Sequence, residues 1–469
     1  MNIDTTGIEA IVKKVMENID FAEENDLPLV DGKDGIFSDM NAAIDAAFLA
    51  QKEYMKQPLA MRSKMIAAIR ATMSQKDHAE TICHMAVEET GMGNFEDKLL
   101  KQYVAAEKTP GMEDLMAQAW TGDDGLTLLE LSPFGVIGAI APTTNPSETI
   151  INNSIGMLAA GNAVVFAPHP RAVKTSNYCV KLINQAIASV GGPANLVVST
   201  EHPSIESSQV MMAHPKIRML CATGGPGVVK AVLSSGKKAI GAGAGNPPAL
   251  VDETADIEKA AKDIIDGCCF DNNLPCIAEK EVVVVDQVAD YLIFNMKKHG
   301  AFELTDKKVI DDLVEMVNPE GRLNRDFVGK SAKYIAKAAG IEVPDDTRVL
   351  ICETPGDHPL AVTELMMPIL PIVRVDNVDE GIDLACELEH GNRHTAIMHS
   401  KNVDKLTEMS KRIQTTIFVK NGPSYAGIGV GGEGYTTFTI AGPTGEGLTS
   451  AKSFARRRRC VLVGGFDIK

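Results

Sequence analysis

The chain has 469 residues, 45% of them hydrophobic, which at roughly 150 residues per domain is enough for two or three cores. Its 46 basic against 62 acidic residues leave a formal charge of −16, and only 5% are aromatic, so neither a phosphate-tracking groove nor a base-stacking platform is expected and nucleic acid is not an expected partner. No run of about 18 apolar residues and no basic-then-apolar leader occurs, which speaks against a membrane span or secretion signal. The nine cysteines lack CxxC pairs, so they read as reduced thiols of a cytoplasmic protein with no metal site.

In chain order, Ile8, Ile11, Val12, Val15, Met16 and Ile19 recur at spacings of three and four behind a Thr6-x-x-Glu9 capping box, which predicts a short amphipathic helix over residues 6–19. The acidic, Pro- and Gly-bearing stretch that follows, to residue 35, reads as a linker. The helix stripe either folds back on the body or docks into a partner's groove. "WTGDDGLTLLELSP" predicts a β-hairpin, and "RRRRCVLV" near the end a strand that can pair with it, its arginines a charged strand edge.

From residue 133, short apolar runs alternate with helical patterns: "GVIGAIAP", "NAVVFAP", "NLVVST" and "IRMLCA", then "PALVD", "EVVVVD", "RVLICE", "LPIVRV", "HTAIMHS" and "TTIFVK". Two βα series predict an α/β protein with two doubly wound parallel sheets, whose ligands bind at the carboxyl ends of the strands. "ATGGPGVVK" follows a strand and opens a helix, so it is either a pyrophosphate site or a tight βα turn. "GAGAGNPPALV" again sets small residues before a buried strand, and a pair of such loops favours a nucleotide cleft.

A reactive thiol needs access, whereas a core thiol fills space. Cys268 shares a helix face with Ile257, Ala261, Ile264 and Ile265, and Cys83, Cys179, Cys221, Cys352 and Cys386 fall in helix faces or strand runs, so these read as core. Cys276 instead follows the polar loop "DNNLP" at a domain boundary; by itself this leaves both catalysis and packing open.

Together, Asn145 in "APTTNPSETI", "GNAVVFAPHP", "TGGPGVV", "GAGAGNPPALV", Cys276 in "NLPCIAEK", "TELMMPILPIV", "EHGNRHTAIMHS" and "GPSYAGIGVGGEGYTTFTIAGPTGEG" resemble the aldehyde dehydrogenase superfamily. Within it the likeness, from about residue 36 to the end, is to the CoA-acylating propionaldehyde and acetaldehyde dehydrogenases of bacterial microcompartments. The resemblance implies an aldehyde-dehydrogenase-like fold with a nucleotide-binding domain (36–120 and 134–240), a catalytic domain (241–435) and oligomerisation elements (121–133 and 436–469) behind a targeting helix (1–20) and linker (21–35). It also implies a homodimer or dimer of dimers inside a compartment, with the helix addressed to shell or cargo.

By that resemblance Cys276 is the nucleophile and Asn145 the oxyanion-hole amide, though an Asn before Pro can instead cap the next helix. NAD, and CoA as co-substrate, would lie along Pro142, Thr143, Thr144, Pro168, His169, Thr223, Gly224, Gly225, Val228, Gly243, Ala244 and Gly245, with Glu364 on the nicotinamide ribose. Hydrolytic relatives carry a general-base glutamate in a Glu-Leu-Gly-Gly-Lys segment; here Ala242 of "AGAGN" stands in its place, which implies a thioester kept for CoA. Ala167 replaces a lysine that meets the adenosine ribose in many members, so NAD over NADP is a preference. His169 and Arg171 either meet the adenosine end or the CoA 3′-phosphate, or are plain loop residues, and His394 is read as hydrogen-bonded structure.

Overall fold

The computed structural model describes residues 32–468, so the expected helix over residues 6–19 and nearly all of the linker lie outside the described residues. Eighteen strands form among the described residues: β1 (Ile36–Phe37), β2 (Gln118–Gly122), β3 (Gly125–Pro133), β4 (Val136–Ile140), β5 (Ala163–Ala167), β6 (Val197–Thr200), β7 (Ile217–Thr223), β8 (Lys238–Ala242), β9 (Pro248–Val251), β10 (Glu281–Val285), β11 (Ala301–Leu304), β12 (Val349–Glu353), β13 (Ile369–Val375), β14 (Thr395–His399), β15 (Ile417–Lys420), β16 (Ile440–Ala441), β17 (Gly447–Leu448) and β18 (Ala455–Val463). The helices needed here are α1 (Met40–Tyr54), α2 (Leu59–Met73), α3 (Lys76–Thr90), α4 (Phe95–Lys108), α5 (Pro146–Ala159), α6 (Val173–Ser189), α7 (Ile205–Ala213), α8 (Pro226–Leu233) and α9 (Ile257–Cys269).

The first sheet has six strands in the order β1-β6-β5-β4-β7-β8, and every neighbouring pair is parallel. The second has seven, β11-β12-β13-β10-β9-β14-β15, also parallel throughout. β5 and β10 are buried at every residue, as strands with helices on both faces must be, which explains why they read as unbroken apolar runs rather than alternating ones. The α/β class with two doubly wound sheets is borne out. The hairpin is present too: β18 pairs with β3 from Ala455↔Pro133 to Val463↔Gly125, and β3 with β2, as a separate antiparallel sheet with β18 at its edge.

Two expectations change. Cys83, Cys179, Cys221, Cys268 and Cys352 are buried, but Cys386 is only half-buried, because it sits at the rim of its helix's apolar face. In addition, the carboxyl-end rule holds for the first sheet alone. Its strand order reverses at β4, between β5 and β7, and the loops that follow β4, β5, β7 and β8 gather there. The second sheet presents the opposite edge, since Cys276, Glu364 and His394 all precede their strands β10, β13 and β14. Connectivity is the reason: the segment 243–247 leaves the carboxyl end of β8 and enters the amino end of β9, so one short link belongs to both edges.

Candidate active site

On the first sheet, the chain leaves β4 through Ala141, Pro142, Thr143 and Thr144 and reaches Asn145, which precedes Pro146 at the start of α5. Proline at that position has a preset φ and lacks only an N–H that would be orphaned anyway, so the turn is fixed locally. Asn145 takes the N-cap position but makes no side-chain capping bond; its Oδ1 accepts instead from Lys101 Nζ at 2.6 Å. The capping alternative for its side chain is therefore set aside.

Beside this loop lies an apolar cavity lined by Ile140, Ala141, Ala167, Pro168, His169 and Val228 among others. The structure thus brings Pro168, His169 and Val228 together, with Pro142–Thr144 continuing from its wall. Burial, and then Arg171 and Arg325, push the His169 imidazole down to about 4, so it is neutral, and its Nδ1 accepts from the Arg171 backbone N–H at 3.1 Å. Gly225 caps α8, and a Cβ there would meet nothing within 4 Å, while a Cβ at Gly224 would have only Val228 at 3.9 Å. That open space before a helix N-terminus fits a pyrophosphate, and the apolar cavity next to it fits a nucleoside base. Thr223 and Gly224 are tied into the floor: Thr223 Oγ1 lies 2.9 Å from Thr439 Oγ1, and Gly224 N donates to Ala242 O at 3.1 Å. Gly243 and Ala244 are half-exposed on the link to β9.

Gly245 is where the two edges meet. A Cβ there would lie 2.8 Å from the His394 ring and 3.0 Å from Cys276 O, and Gly245 N donates to Glu364 Oε1 at 3.2 Å. Glycine is required at this point because no side chain fits between the nucleophile's carbonyl and the imidazole.

Cys276 is half-buried in the turn after α9, and that turn is held from below. Lys280 Nζ donates to Asn273 Oδ1 at 2.6 Å, Asn273 O at 3.0 Å and Pro275 O at 3.3 Å, and Asn273 Nδ2 donates to Cys268 O and Glu279 O at 2.8 and 2.9 Å. Asp271, Asn272 and Asn273 have φ of 46, 56 and 66°, a left-handed run that Asn and Asp tolerate best among residues with a Cβ. Burial and then the Glu364 carboxylate push the Cys276 thiol up to about 12, while Lys280 and Lys101 pull it down. Burial likewise raises Glu364 to about 6 and lowers His394 to about 4.

Sequence reasoning did not single out Lys101, and its reading of His394 as hydrogen-bonded structure agrees with the contacts found. His394 is buried against Gly245 and Cys276, its Nδ1 2.9 Å from Thr395 Oγ1. Lys101 is buried among Asn145 Oδ1, Glu148 Oε1 and Asp271 Oδ2 at 2.6, 2.9 and 2.7 Å. The one available signal was the pair of lysines, Lys98 and Lys101, on a single face of α4.

The aldehyde dehydrogenase family model matches residues 14–313. The chain is 54% identical over 436 residues, 93% of its length and 94% of the relative's, to the propanal dehydrogenase (CoA-propanoylating) of Citrobacter freundii. Among solved structures it is similar to the Rhodopseudomonas palustris propionaldehyde dehydrogenase with bound CoA and an acylated cysteine, at 62% identity and a TM-score of 0.91, covering 92% of this chain and 99% of that one. It is also similar to a propionaldehyde dehydrogenase from the Clostridium phytofermentans fucose utilisation bacterial microcompartment, at 57% identity and a TM-score of 0.91, covering 93% of this chain and all of that one. With sheets, cleft and cysteine turn arranged as described and this match over most of its length, the chain belongs to the aldehyde dehydrogenase family.

Proposed function

We propose that this chain is an NAD-dependent, CoA-acylating aldehyde dehydrogenase that converts a short aliphatic aldehyde, propionaldehyde or acetaldehyde, to the acyl-CoA. The observation that carries the reading is Cys276 set beside Gly245, Glu364 and His394 at the mouth of a nucleotide-shaped cleft, with Ala242 at the end of β8 in the place of the hydrolytic base. The names of the similar proteins support it, since they are CoA-propanoylating or carry CoA and an acylated cysteine.

In this reading the Cys276 thiolate adds to the carbonyl carbon, and the carbonyl electron pair moves onto oxygen. Asn145 Nδ2 and the Cys276 backbone N–H receive that negative oxygen; losing one such donor typically costs about 2.7–4 kcal/mol. Pro168, Val228, Gly225 and Glu364 would hold NAD, which when bound accepts the hydride and leaves a thioester on Cys276. Ala242 offers no base to activate water, a contribution worth about 10² to 10⁴-fold where present, so the acyl group persists until a thiol arrives. The CoA sulfur bonds to the acyl carbon as the Cys276 sulfur leaves, regenerating the nucleophile.

One observation favours a second reading. Glu364, raised to about 6 near Cys276, is a carboxylate that could serve water instead of CoA. Initial rates with C2 to C6 aldehydes, NAD or NADP, with and without CoA, separate the two. The expected result is one NADH per site without CoA, sustained turnover only with CoA, and loss of at least about 10³-fold in Cys276→Ala. Steady CoA-free turnover would replace this reading with hydrolysis. The residues 6–19 are assigned to docking on compartment shell or cargo, and the β18 hairpin sheet to subunit contact.

A further inference from the structure

We propose that Lys101 is a positioning residue that holds the Asn145 carboxamide by its oxygen and ties it to the loop carrying Cys276, so that one buried cation sets both donors of the oxyanion hole. The inference rests on the roles assigned above to Asn145 and Cys276.

An ammonium only donates, so the Asn145 atom 2.6 Å from Lys101 Nζ is the amide oxygen, and Nδ2 is turned the other way. On that side Nδ2 has only a 3.5 Å contact to Thr144 Oγ1, at the limit of a hydrogen bond, which leaves its protons for a substrate oxygen. Lys101 thereby removes the two-fold ambiguity of the carboxamide, and without it the flipped amide would present an acceptor where negative charge develops.

The same ammonium reaches three side chains on two separate pieces of chain. Asn145 starts α5, Glu148 lies one turn further in at 2.9 Å, and Asp271, at 2.7 Å, opens the turn that ends in Cys276. Lys101 Nζ donates a hydrogen bond to Asn145 Oδ1 and is ion-paired with both Glu148 and Asp271, so its buried charge is compensated on both sides. Asp271 is itself locked: its Oδ1 accepts from Asn94 N at 2.8 Å, its Oδ2 from Lys98 Nζ at 3.0 Å, and its own N–H donates to Asp97 Oδ2 at 2.7 Å. A left-handed run such as residues 271–273 persists only where its surroundings over-determine it, and Lys98 and Lys101 do so from α4.

Packing alone would not arrange α4 in this way. Lys98 and Lys101 are 2% and 0% exposed, while Leu100 between them is 41% exposed. A helix built only for a core would turn the leucine in and the lysines out, and buried charge is costly unless each group is partnered. Rules of local pattern are broken most often at functional sites.

The test is a double-mutant cycle on the full chain with propionaldehyde, NAD and CoA. Lys101→Met is expected to lower kcat about 100-fold with KM for NAD within about threefold, to match Asn145→Ala, and to add nothing to it in the double variant, because both remove the same oriented donor. Losses that multiply, or a Lys101→Met enzyme that keeps more than a third of kcat, would overturn the inference. Should Lys101→Met unfold, the charge-balanced Lys101→Met/Glu148→Gln pair, which leaves Lys98 with Asp271, runs the same cycle against Asn145→Ala, with circular dichroism as the fold check. If neither folds, the cation serves the fold and the positioning role is rejected. Wild-type turnover and the Asn145→Ala loss are measured first: a wild type that makes no acyl-CoA, or an unimpaired Asn145→Ala, places the failure on the reading of the site and leaves nothing for Lys101 to position.

Discussion

A thiol raised to about 12, as burial and then Glu364 raise Cys276, holds little thiolate near neutral pH, and the thiolate is the nucleophile. The opposing cations Lys280 and Lys101 do not cancel desolvation. Glu364 itself is raised to about 6, so at pH 8 it is ionised and works against the thiolate. Glu364→Gln should therefore lower the thiol pKa and speed alkylation of Cys276 by iodoacetamide at pH 8 by about 3- to 10-fold, half a unit to one unit of pKa. As pH falls through 6 the wild-type carboxyl becomes neutral as well, and the difference should close. A variant that is no faster at pH 8 would show that desolvation alone governs the thiol. At this scale long motifs made Cys276, Asn145 and Glu364 candidates, and the structure brings Cys276 and Glu364 together at Gly245. Lys101 gave no such signal, since a lysine in a helix looks the same whether it serves a site or not.

Local patterns predicted the elements well. Unbroken apolar runs marked β5 and β10, and the Ile257, Ala261, Ile264 and Ile265 stripe marked α9, because burial on two faces or one stripe imposes a period visible within a few residues. What elements do to one another was less visible. Gly267 of α9 faces Glu279, and a Cβ there would lie 2.1 Å from Oε2, 2.3 Å from Oε1 and 2.4 Å from Cδ. That carboxylate cannot simply swing away, since it accepts from Ser424 N at 2.8 Å and Ser424 Oγ at 2.7 Å. Gly267→Ala is expected to cost about 1–3 kcal/mol by overpacking, seen as a lower thermal midpoint, and to reduce kcat because Glu279 belongs to the turn of Cys276. An unchanged midpoint would mean that the carboxylate finds a second seat.

Across the whole molecule, two parallel sheets present opposite edges to a shared cleft, and a third, antiparallel sheet leaves Trp120, Val461 and Val463 at 52%, 53% and 79% exposure. Apolar residues exposed together on one sheet mark a contact surface, which supports the assignment of β18 to subunit association. Sedimentation of the purified chain as a monomer would contradict that assignment. If residues 1–20 address the chain to a compartment, as proposed, removing them should leave kcat and kcat/KM within about twofold while abolishing co-purification with compartment shells. A large kinetic loss would instead place the segment within the fold. The sequence by itself determined the α/β class, the two βα series, the hairpin and the residues most worth suspecting, since these follow from short-range periodicity and from motifs read in order. Only the tertiary structure decided which edge of the second sheet faces the cleft and which charges share one desolvated space. Lys98 and Asp271 stand 173 residues apart, yet they meet at 3.0 Å, a closeness in space that no local pattern encodes.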